Sequence, residues 1–222
     1  LREAMKVGGP QGDVGNIDGT NITTTALDAV IKDVENFVKR SHDTETLLRS
    51  ARIIRIARTA LKDGSWKDVE KFTNVCTDAA AEFALICAEL WNKKMQESLA
   101  EAMSRGKVIG RVGNLRTEVV HTEGLAIALA ECAAQHEISP TTKEFLDTAN
   151  LLLYLRRGIS GNVVDSHSLR TQIEEFPGKM SDVAVAEINL IKAEISLNAA
   201  LTELRSAISH QSLSALKTAI EV

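Results

Sequence analysis

Residues 1–16 read LREAMKVGGPQGDVGN, and residues 99–114 read LAEAMSRGKVIGRVGN. Slid by 98 positions without a gap, the two stretches agree at 9 of 16 places, and a fainter likeness runs on to residues 61 and 159. Self-similarity at a fixed period marks a repeat architecture, in which one supersecondary unit recurs and neighbouring units share a core.

A finer rhythm lies inside this period. Five helix-like segments close on related phrases: EAMKVG at 3–8, TALKDG at 59–64, EAMSRG at 101–106, RGISGN at 157–162 and SAISHQ at 206–211. Met5, Leu61, Met103, Ile159 and Ile208 hold matching places, separated by steps of 56, 42, 56 and 49. One long and one short step make 98, so the mean unit is about 49 residues. A single helical hairpin cannot cover its own apolar stripe, whereas stacked neighbours cover it for each other. The expected fold is therefore all-α: antiparallel helical hairpins stacked into an α-solenoid-like array or a repeat bundle. The expected division is a first double hairpin over 1–98, then a second with the start of a third over 99–222. The chain opens inside a helical phrase and without Met, which reads as a piece of a longer protein.

Composition agrees with a helical core. Hydrophobic residues make up 44% and charged residues 25%, a globular balance. Aromatics are only 4%, and a core of Ala, Leu, Ile and Val suits close helix packing better than a long sheet. Periodicity at three and four residues places helices at 1–6, about 23–40, from the turn at 41–43 through Leu47 to near Lys62, and at 66–76, 78–104, 121–137, 141–158, 166–175, 181–208 and 213–221. Ser41-His42-Asp43 reads as a turn with cap residues, and Ser65 with Asp68 as a capping box for the segment that begins at Trp66. Gly8, Gly12 and Gly15 recur as Gly106, Gly110 and Gly113, which predicts inter-helix loops whose glycines adopt positive φ.

Charge excludes some partners. The net charge is −4, with 14 basic and 15 acidic residues over 1–98 and 12 and 15 over 99–222. Neither half is a basic block, so nucleic acid is not the expected partner. No apolar run approaches the ~18–20 residues a bilayer span needs. Cys76, Cys87 and Cys132 are odd in number and lack CxxC spacing, which points to a reducing compartment.

The catalytic inventory is thin. The glycine-rich G-x3-G-x2-G-N stretch precedes a helix, where backbone N–H groups can cradle phosphate, but it lacks the Lys-Ser/Thr of a P-loop and follows no strand. His42, His121, His136, His167 and His210 form no HxxxH or HExxH, and His121 and His136 are expected about four turns apart on one helix, so no metal and no cofactor are expected. No GxSxG stretch raises a nucleophile. The expected partner-binding residues are Arg49, Arg52, Arg55 and Arg58, spaced by three in LLRSARIIRIAR, and Trp66 just after a turn. The arginines suit an acidic partner or a solvated helix face, and the indole suits a hot spot or a packed hairpin lock. In the second copy the arginine positions hold Asp147, Asn150, Leu153 and Arg156, so only the last stays basic. Trp91 reads as packing. The expected function is a non-enzymatic protein–protein interaction or scaffold module of a larger cytoplasmic or cytoskeletal assembly. The alternative is a regulatory helical domain attached to an enzyme.

Overall fold

In a computed structural model, which describes residues 1–72, 75–133, 137–160 and 166–209, the chain is 72% helix and 3% strand, so it is all-α with a minimal hairpin. Among the described residues the elements run α1 (Arg2–Lys6), α2 (Thr25–Glu35), α3 (His42–Asp63), α4 (Thr77–Ser104), β1 (Ile109–Arg111), β2 (Asn114–Arg116), α5 (Glu123–Cys132), α6 (Pro140–Ser160), α7 (Ser166–Glu174) and α8 (Asp182–Ser209). The expected helix over 213–221 lies outside the described residues. The chain divides into two compact units. Unit 1 is Leu1–Gln96 with Gln135–Thr142, and unit 2 is Glu97–Ala134 with Lys143–Val222.

In unit 1, Met5, Ile22, Leu27, Leu48, Ile54, Leu61, Val69, Ile86 and Leu90 form the buried core. Helix α3 shows why these residues are helical. Ser41 Oγ accepts the Thr44 N–H at 3.2 Å, acids Asp43 and Glu45 sit in the first turn, and Lys62 sits in the last. Gly64, at φ 71°, closes the helix in the left-handed conformation, and its N–H reaches the Ala60 carbonyl. Unit 2 buries Leu99, Met103, Leu125, Leu152, Leu155, Leu169, Ile188, Ile191 and Ile195.

The structure shortens or alters several expected elements. Helix α2 ends at Glu35 rather than near Arg40, because Arg40 Nη1 donates to the carbonyls of Val34, Glu35 and Phe37, each at 3.2 Å. A guanidinium on the last carbonyls ends a helix in place of further turns. Among its described residues, 66–72 and 75–76, the segment 66–76 is not α-helical: a 3-10 turn covers Trp66–Asp68, Ser65 makes no capping bond, and the Cys76 N–H goes to Ser50 Oγ at 2.8 Å. Helix α5 starts at Glu123, so His121 precedes it; His136 lies outside the described residues. The loop expected over 106–114 instead leads into an antiparallel hairpin with Ile109 opposite Arg116. In unit 1 the Asp18 N–H reaches the Gln11 carbonyl at 3.1 Å, the pair 98 positions earlier.

Positions 98 apart share many such bonds. The Thr23 N–H donates to the Gly8 carbonyl, and the His121 N–H to that of Gly106. Gly12 and Gly110, at φ 110° and 130°, each leave room where a Cβ would stand 2.5 Å from the carbonyl oxygen of Asn16 or Asn114. The most consequential pair is Arg58 and Arg156. Both side chains are fully buried. Arg58 gives Nε to Glu82 Oε1 (2.6 Å) and Nη2 to Glu82 Oε2 (3.0 Å). Its Nη1 bonds the carbonyls of Val7 (2.6 Å) and Thr23 (2.9 Å), and Nη2 bonds that of Met5 (2.5 Å). Arg156 holds Glu187 through Nε and Nη2, both at 2.8 Å, with Nη1 on the Arg105 carbonyl (2.8 Å) and Nη2 on that of Met103 (2.6 Å).

Removing one partner of a buried pair strands the other, at a cost of about 3–5 kcal/mol. Arg58→Ala and Arg156→Ala should each destabilise by that amount in urea unfolding, and lysine at either site should recover less than half, since it lacks the planar fork. A loss under about 1 kcal/mol would show that the clasp is peripheral. Leu99 is fully buried, so Leu99→Asp should lower stability by about 4 kcal/mol; an unchanged melting curve would refute its place in the core.

Candidate interaction face

Three of the four expected arginines stand on the outer face of α3. Arg49, Arg52 and Arg55 are exposed, and two of them are paired to α2. Arg52 holds Glu35 Oε1 through Nε (3.0 Å) and Nη2 (2.5 Å), and Arg55 Nη1 lies 3.5 Å from Asp28 Oδ1. Arg58 does not belong to this face. Its side chain has no exposure, and its donors are spent on Glu82 and three carbonyls. The reason is helical geometry: nine residues advance about 180° around the axis, so Arg58 points opposite Arg49. Its counterpart Arg156, the one basic residue kept in the second copy, was the sequence signal of an interior role.

Trp66 is half-buried against the unit 1 core, and Lys94 Nζ lies 5.7 Å from its ring centroid. An ammonium over an indole face is a favourable contact that also shields one side of the ring. The face near Arg55 carries a depression of about 330 Å³ lined by Thr24, Asp28, Ile56, Thr59 and Asp68.

The equivalent face of unit 2 has different chemistry. Asp147, Asn150 and Tyr154 replace Arg49, Arg52 and Ile56, and with Lys143, Glu175 and Phe176 they line a depression of about 560 Å³. Tyr154, the chain's lone tyrosine, is 44% exposed and is a candidate contact that spacing alone did not single out. A second depression in unit 2, about 410 Å³, is lined in part by Glu101, Arg105, His121, Ile127 and Glu131, with Glu101 ion-paired to Arg105.

The glycine-rich loops are occupied as anion sites by the chain itself. All six recurring glycines have positive φ, from 60° to 130°. The Gly15 N–H donates to Glu89 Oε2, and the Gly113 N–H to Glu194 Oε2, both at 2.5 Å. A phosphate brought to either N–H would meet a carboxylate, so the loops serve as helix–loop ties. Among the described residues, no three of His, Cys, Asp and Glu gather to hold a metal ion. Nor is any described helix long and apolar enough to cross a membrane.

The three cysteines are free, and Cys132 is fully buried. Burial, aided by the neighbouring Glu131 charge, pushes its thiol up to about 11. Since the thiolate is the reactive form, Cys132 should resist iodoacetamide at pH 8 in the native protein and label only on unfolding. Labelling of Cys132 at the rate of the half-exposed Cys76 would show that α5 opens readily. The chain matches no protein-family model, no curated protein and no solved structure with which it was compared.

Proposed function

We propose that this chain is two tandem copies of one helical unit, stacked as an α-solenoid-like array or repeat bundle. It serves as a non-enzymatic protein–protein interaction or scaffold module of a cytoplasmic or cytoskeletal assembly. The observation that carries this reading is a contrast between inside and outside. The frame's donors coincide at positions 98 apart: the buried Arg58 and Arg156 on their helix-end carbonyls, and the loop residues Gly15 and Gly113 on a glutamate of a long helix. The outer face of the same helix changes character, from Arg49, Arg52 and Arg55 to Asp147, Asn150 and Leu153. A constant frame with a varied surface is what a repeat scaffold needs, because each unit then offers its own contact chemistry. Its partners are other proteins, and the α3 face with its arginines suits an acidic one. The buried charges Arg58, Glu89, Arg156 and Glu187 are all engaged by the chain's own backbone or by each other, which fits a frame better than a reaction centre.

Replacing Arg49, Arg52 and Arg55 together with Glu should leave helicity unchanged and lower the melting temperature only slightly, since all three are exposed and the two ion pairs lost to α2 are surface ones. Cross-links between this chain and other proteins in extract, read by mass spectrometry, should be lost from α3. Retention of those cross-links would remove the arginine face from the reading; loss of helicity would place the arginines in the frame.

A further inference from the structure

Matching faces of the two units use their charges differently. On α3, Glu45 is paired to Arg40, and Arg52 to Glu35 of α2. The residues 98 positions on are Lys143 and Ile138, and Asn150 and Ala133, so neither pair has a counterpart in unit 2. On α6, Lys143, Asp147, Leu151 and Tyr154 follow at steps of four, four and three, which sets them on one face. The other wall of their 560 Å³ depression is the end of α7, with Glu175 and Phe176. Helices rarely run past the residue before a proline, and α7 stops at Glu174, three residues short of Pro177. The walls are anchored: Leu151 and Ile173 are buried, and the fully buried Thr148 accepts the Ser181 N–H on Oγ1 at 3.0 Å. Glu174, next to the depression, is held by Arg170 at 2.7 Å. Among the described residues, the carboxylates of Asp147 and Glu175 have no hydrogen-bond or ion-pair partner, nor has the Lys143 ammonium. Asp147 is also half-buried, and a carboxylate partly withdrawn from water gains most from a donor brought to it.

We infer that this depression takes an arginine side chain from a protein partner. The inference rests on reading the chain as an interaction module, and it gives unit 2 a ligand chemistry opposite to that of the arginine face on α3. Two acids against one base make the lining negative, and two aromatic rings stand among them. A guanidinium answers each of these features. Its plane stacks on an aromatic face, its fork matches a carboxylate, and its aliphatic stem lies well on an apolar surface. Tyr154 and Phe176 offer the faces, Asp147 the carboxylate for the fork, and Leu151 the apolar surface. Glu175 adds attraction, and Lys143 opposes it. A lysine side chain keeps the charge but loses the fork and the stacking plane. An acidic or phosphorylated segment would meet Asp147 and Glu175 and be repelled.

Because Tyr154 is the lone tyrosine, ring-labelled tyrosine gives NMR signals that report on this depression and nothing else. The purified chain is titrated with acetyl-Gly-Gly-Arg-Gly-Gly-amide, which should shift those signals along a saturable curve with a Kd in the millimolar range. The same peptide with lysine should bind about threefold more weakly, and with citrulline, which keeps the shape but not the charge, about tenfold more weakly. Asp147→Asn and Glu175→Gln should each weaken the arginine peptide by about two- to tenfold, and Lys143→Gln should tighten it about twofold. Circular dichroism of all three variants should match wild type, since these side chains have no partner among the described residues. Tyrosine signals that do not move overturn the inference, as does equal binding of the arginine and citrulline peptides, or binding indifferent to both acid variants. A leucine peptide that binds as tightly would make the depression an apolar seat and overturn it too. So would self-association of the chain that Asp147→Asn abolishes, by giving the depression to a second copy. None of these outcomes touches the scaffold reading, which stands or falls on cross-links to other proteins.

Discussion

The packing of each unit depends on one buried guanidinium. A helix ends with carbonyls that have no partner inside it, and burying such an end without other donors is costly. Arg58 and Arg156 supply donors at that place: the carbonyls of Met5 and Val7 in one unit, and of Met103 and Arg105 in the other. The same side chain reaches a glutamate on the long helix, Glu82 or Glu187, so one residue ties an opening phrase, its own helix and a long helix together. A buried ion pair can often be replaced by apolar residues without loss. Here the backbone acceptors would remain after such a replacement, so an apolar side chain would leave the carbonyls unsatisfied. The arginine therefore decides which helix end meets which helix.

The two clasps differ where the local sequence forces them to. The Val108 N–H donates to Glu187 Oε1 at 2.9 Å. The residue 98 positions earlier is Pro10, which has no N–H to give. Glu82 is accordingly left partly solvated, with 18% side-chain exposure against 3% for Glu187. The spacing from arginine to glutamate also differs, 24 residues in unit 1 and 31 in unit 2. The seven extra residues fall in the connection before the long helix, which holds a 3-10 turn in unit 1 and the helix α7 in unit 2. A connection absorbs such an insertion cheaply, while both glutamates stay within 2.6–3.0 Å of their arginines.

That insertion explains the limits of the sequence reading. A fixed slide of 98 pairs Glu82 with Met180, so the glutamate partner drops out of sight. The arginines were grouped by their spacing of three, but a helix turns away from that row, and by Arg58 it has reached the opposite face. Residues 66–76 carried a helical rhythm through Trp66, Val69 and Phe72. Val69 is fully buried, yet the described backbone there is a 3-10 turn rather than an α-helix, and farther on Ser50 takes the Cys76 N–H. Local periodicity cannot register a donor claimed by a side chain 26 residues away.

The sequence by itself determined the helical class, the recurrence at 98, the positive-φ glycines and most of the span of α3, α4, α6 and α8. These are properties of neighbours within a few turns: apolar spacing, caps and glycine conformations act locally. Tertiary structure alone decided that the glycine loops bind the chain's own glutamates, that one arginine of four turns inward, and that β1 and β2 pair within the loop. The arginine's choice depends on which distant acceptor meets it once water is excluded, the glycine–glutamate ties join residues 74 and 81 positions apart, and the exposed β1–β2 pairing follows from how the loop backbone turns; spacing of side chains along the chain registers none of these.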